Sequence, residues 1–142
     1  MSEVKISIER TSGTFHLTST NEQGQTVETD GAPSIGGTGK GVRPMELVLM
    51  GLGTCSSIDV ILILEKQRQD LKDIKIDITA VRENVANYSE FRSIHMIFHL
   101  FGDIKPKKAQ KAISLSIESY CSVAQLLKHT ATITYDFTIT SV

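Results

Sequence analysis

Polar and apolar residues alternate through VKISIER near the start of the chain, and strand-like runs recur in TFHLTST and QTVETD. Alternation with a period of two predicts strands. Ser12-Gly13 and the stretch from Asn21 to Gly24 supply the turns, so residues 3–30 read as a meander of hairpins. DGAPSIGGTGKGVRP follows, with five glycines and two prolines in fifteen residues, and predicts an irregular loop over 31–43. Its GGTGKG lacks both the spacing and the following hydroxyl residue of a phosphate-binding loop. Pro44 and Glu46 suit the first turn of a helix, which is predicted to run over about 44–69. The centre of that helix is apolar almost all round, from Leu47 through Leu52 and Val60 to Leu64. A helix with no polar face must be surrounded, and one short chain supplies too little cover, so the pattern predicts a homodimer. Residues 72–102 read as two long strands, 106–128 as two helices opened by Pro106, and 131–140 as a last strand. The order βββ–α–ββ–αα–β, with segregated strands, predicts a single α+β domain over 1–142 with antiparallel sheets.

Composition narrows the function classes. The chain has 142 residues, 40% of them hydrophobic and 22% charged, with a formal net charge of −1. No basic face for nucleic acid is indicated. The apolar stretch Leu47–Leu64 contains Thr54, Cys55, Ser56, Ser57, Asp59 and two glycines, which favours a core helix over a membrane span. The alternating start has no secretory pattern. Two cysteines with no such pattern predict reduced thiols in the cytoplasm, and are too few for a Cys-rich zinc site. No metal or cofactor is expected.

The two cysteines, Cys55 in GLGTCSSIDV and Cys121 in SIESYCSV, are the main carriers of candidate chemistry. They are either packed core residues or a redox pair, and the fold decides. Gly51 and Gly53 expose backbone one turn before Cys55, Ser56 and Ser57 place hydroxyls beside it, and Asp59 lies four residues on, on the same helical face. Cys121 falls where one helix ends and another begins, and a helix N-terminus favours the thiolate. His95 and His99, four apart on a strand, are about 13 Å from each other by strand rise, too far to share a metal. His16 and His129 read as structural.

RPMELVLMGLGTCSSIDV followed by SIESYCSV resembles the OsmC/Ohr family of osmotically inducible and organic hydroperoxide resistance proteins, over nearly the whole chain. The resemblance implies an intertwined homodimer, with sheets of both chains wrapped around two long central helices. It also implies reduction of organic hydroperoxides without metal or flavin. Cys55 would attack the peroxide, Cys121 would resolve the sulfenic acid as a disulfide, and a dithiol such as a lipoyl group would restore the thiols. In the family's peroxidases a Glu directly follows the helix-opening Pro and pairs with an Arg. Here Met45 follows Pro44 and the acid is Glu46. Nine residues are about 900° of helix, which turns Glu46 away from Cys55. Arg43 and Arg10 are the nearest substitutes for the Arg. Candidate thiol-tuning residues are therefore Glu46, Arg43, Asp59 and Ser56. The pattern marks a divergent OsmC-like branch, and its alternative function is redox sensing or small-ligand binding without efficient turnover.

Overall fold

The computed structural model describes all 142 residues, in two compact units, Met1–Val48 and Leu49–Val142. In the first, β1 (Ile6–Ser12), β2 (His16–Asn21) and β3 (Thr26–Thr29) form an antiparallel meander in that order. The glycine-rich segment after β3 is ordered around Asp30, which is only 3% exposed. Its carboxylate accepts from the Thr38 hydroxyl at 2.6 Å and from the backbone N–H groups of Gly31, Thr38 and Lys40. The Thr38 hydroxyl leads in holding the Asp30 carboxyl down at about 2, against the upward push of burial.

The long helix α1 spans Pro44–Lys66. At its start the Glu46 carboxylate accepts the Arg43 backbone N–H at 2.9 Å, half of a capping box. The helix stops short of the predicted Gln69. Arg68 turns left-handed (φ 57°), and the Gln69 N–H closes back on the Leu64 carbonyl at 2.9 Å.

The second unit holds β4 (Asp70–Val85), β5 (Tyr88–Asp103), α2 (Pro106–Leu115), a π turn (Ser116–Tyr120), α3 (Ser122–Leu127) and β6 (Thr132–Thr140). β4 and β5 pair antiparallel along their length and reverse at Ala86, itself at positive φ (55°), in a turn tighter than the predicted Asn84–Glu90. A bulge near Leu71 meets Gly102, where a Cβ would stand 2.0 Å from the Asp70 carbonyl oxygen, so only glycine fits. β6 pairs with β5 in parallel, from Ser93↔Thr132 to Phe101↔Thr140, a correction to the antiparallel expectation. The helices between β5 and β6 carry the chain back to the starting edge, which is the connection a parallel pair requires.

The alternation of β5 buries Ile94, Met96, Phe98 and Leu100 on one face. His95 and His99 lie on the other, each held separately: His95 Nδ1 to Thr134 Oγ1 at 2.7 Å, and His99 Nε2 to Asp77 Oδ2 at 2.9 Å. From α1 the buried residues are Leu52, Gly53, Ser56, Val60 and Leu64. Leu52, Ser56, Val60 and Leu64 are spaced by four and form one stripe. From α2 Ala109, Ala112 and Ile113 complete the core. Other apolar side chains of α1 stay exposed: Ile58 59%, Leu62 51%, Met50 47% and Ile61 39%. By length and composition α1 could cross a membrane.

A paired-thiol site beside a buried hydroxyl network

Ser56 is the one polar side chain in the buried stripe of α1. A buried hydroxyl without a partner costs about 1–3 kcal/mol. Its partner is Ser116, fully buried on the π turn, with the two Oγ atoms 2.9 Å apart. Ser116 in turn donates to Asp59 Oδ2 at 3.0 Å. The contact fixes the π turn against α1, and the π turn delivers Cys121: the Cys121 N–H donates to the Ser116 carbonyl at 2.8 Å, five residues back.

Cys55 lies one residue before Ser56 and is half-buried, while Cys121 is fully buried. The two sulfurs and an Asp59 carboxylate oxygen all lie within 4.8 Å of one another. The thiols are free, with their sulfurs within 4.8 Å of each other. Of the two glycines before Cys55, Gly53 is the one closely approached: a Cβ there would stand 3.0 Å from Ile78 Cδ1 of β4, while Gly51 faces open space. Ser57 turns back to bond the Gly53 carbonyl at 2.6 Å. Cys55 and Asp59, four apart, share a helical face as the sequence requires.

Cys121 caps α3, its sulfur accepting the Ala124 N–H at 3.4 Å. The expectation that a helix end would favour its thiolate is corrected by burial. Desolvation, joined by the Cys55 thiol, pushes Cys121 up to about 11, and the Ala124 N–H opposes this only in part. Its S–H points to the Leu52 carbonyl, 4.0 Å away. Arg43 and Glu46 meet through the Arg43 backbone N–H, not the guanidinium, so their contact is a helix cap. Sequence reasoning missed Ser116 as part of the site. Its signal was a hydroxyl on the otherwise apolar face of Ala109, Ala112 and Ile113, which demands a polar partner.

A family model described as OsmC-like protein matches residues 37–136. The chain belongs to the OsmC-like protein family. It is 41% identical over 101 residues to Protein YhfA of Escherichia coli K12, a match covering 70% of this chain and 75% of that one. A crystal structure of a hypothetical protein from Aquifex aeolicus VF5 is 30% identical, superposes with a TM-score of 0.81, and covers 98% of both chains. An organic hydroperoxide resistance protein OsmC from Legionella pneumophila shares the fold at 13% identity, with a TM-score of 0.73 over 100% of this chain and 98% of that one.

The raised Cys121 pKa gives a stability that is complete below 9.0, the ordinary thiol value, and is lost as pH rises through about 11. The advantage of wild type over Cys121→Ala in urea unfolding should therefore shrink by roughly 2–3 kcal/mol across that window. At neutral pH, alkylation followed by mass spectrometry should label Cys55 well before Cys121.

Proposed function

We propose that this OsmC-like protein reduces organic hydroperoxides through Cys55 and Cys121, in a peroxide-resistance role. The observation that carries the reading is the approach of the two free sulfurs to within 4.8 Å, one of them buried and the other partly so. Family membership and the name of the Legionella neighbour support it. The more accessible Cys55 attacks the distal peroxide oxygen as a thiolate. The O–O bond breaks, the alkoxide takes a proton and leaves as an alcohol, and Cys55 becomes a sulfenic acid. The Cys121 sulfur then attacks the Cys55 sulfur. The S–O bond breaks, hydroxide leaves with the proton of the Cys121 thiol as water, and a disulfide remains. Burial keeps Cys121 protonated until that step, so its proton is available for the departing oxygen. Asp59, oriented by Ser116, is the acid–base group close enough to pass it. A dithiol such as a lipoyl group reduces the disulfide by exchange and is itself oxidised. The apolar length of α1 around Cys55 favours peroxides with a carbon tail. Neither metal nor flavin enters these steps. Free thiols fit a reducing compartment such as the cytoplasm.

With a dithiol reductant present, purified protein should consume cumene or tert-butyl hydroperoxide faster than hydrogen peroxide. Cys55→Ser should abolish consumption. Cys121→Ser should allow one stoichiometric turnover and leave a sulfenic acid that dimedone traps. Wild-type rates in Cys55→Ser would overturn the assignment. Stoichiometric oxidation of wild type without turnover would favour the redox-sensing alternative, which is supported by Glu46 serving as a helix cap.

The active form in this proposal is a homodimer. Met50, Ile58, Ile61 and Leu62 leave an apolar surface along α1 that water does not favour. A second copy of the helix covers it in a shared core, with an interface of about 2,000 Å² or more. Sedimentation at micromolar concentration should give a dimer, and Ile58→Lys should dissociate or unfold it. A stable wild-type monomer would contradict the proposal.

A further inference from the structure

We propose that the reduced protein binds one thiophilic divalent ion, zinc or cadmium, per chain through Cys55, Asp59 and Cys121. Three donors from two segments converge here, two sulfurs and a carboxylate oxygen, within 4.8 Å of one another. A tetrahedral zinc ion with ligands at about 2.0–2.3 Å needs edges of about 3.3–3.8 Å, so small side-chain rotations close the set. Cys55 and Asp59 sit four apart on α1, which points both to the same side, and Cys121 comes in from the turn before α3. The carboxylate is already aimed, because the Ser116 hydroxyl holds Asp59 Oδ2 at 3.0 Å and is itself tied to Ser56 at 2.9 Å. Such an outer hydrogen bond orients a ligand and leaves its other oxygen free. Ser116 brings hydrogen bonding and no charge, so three groups that carry negative charge when deprotonated converge with a neutral orienting partner. A divalent ion neutralises them and displaces the thiol protons outright. The half-buried side of Cys55 leaves a fourth position for water.

Binding itself does not need peroxide chemistry. Only its consequence, that an occupied site cannot be oxidised, rests on the thiol-peroxidase reading. Cadmium added to fully reduced, metal-free wild type should produce thiolate-to-metal absorbance that saturates at one equivalent per chain, with protons released into weak buffer. Cys55→Ser and Cys121→Ser should each remove the saturable band. Asp59→Asn should weaken binding by about tenfold or more, and Ser116→Ala by about tenfold. Wild type oxidised with diamide, which makes the disulfide without any peroxide, should bind nothing, a control that needs no variant to fold. Absence of the band in reduced wild type, or an affinity unchanged by Asp59→Asn, overturns the site. Peroxide turnover, assayed separately on metal-free protein, reports on the peroxidase reading alone.

Discussion

Ser56 and Ser116 share a hydrogen bond of 2.9 Å inside an otherwise apolar layer, and much of the site follows from that contact. Neither hydroxyl can be buried alone without a cost of about 1–3 kcal/mol. The buried stripe of α1 therefore accepts the π turn in one register only. That register sets two further things. Ser116 reaches Asp59, and the backbone that leaves the π turn brings Cys121 up to Cys55. The extra residue per turn in a π segment is what allows Ser116 to face α1 while Cys121, five residues on, still faces it too.

At Cys121 two physical effects compete. The N-terminus of α3 offers an amide to the sulfur, which favours the thiolate. Complete burial, with a second thiol alongside, favours the thiol, and burial wins because a six-residue helix offers little dipole against full desolvation. The two cysteines thus differ by environment, one partly exposed and one enclosed. A chemical cycle that needs a nucleophile and a resolving thiol can use that difference.

Much of this was legible in the sequence. Pro44 marked the start of α1, the alternation of β5 marked its buried face, and the Cys55–Asp59 spacing placed both on one side of the helix. Three features were not. The parallel pairing of β6 depends on where α2 and α3 return the chain, which no local period encodes. The π turn reads as ordinary helix through Tyr120, because the contact it makes, with a hydroxyl of α1, is distant in sequence. The meeting of Arg43 and Glu46 looked like an ion pair but is a backbone cap, since side-chain type does not reveal which atom of a neighbour is bonded. Each miss concerns a long-range or backbone contact.

The proposed chemistry of this site requires the two thiols to act as one unit. Its most direct test treats reduced protein with one equivalent of an organic hydroperoxide, digests it without reductant and maps the sulfurs by mass spectrometry. The expected result is loss of both thiols and a Cys55–Cys121 disulfide within a single chain. Oxidation of Cys55 to sulfinic acid beside a free Cys121, or a disulfide only between chains, would contradict it.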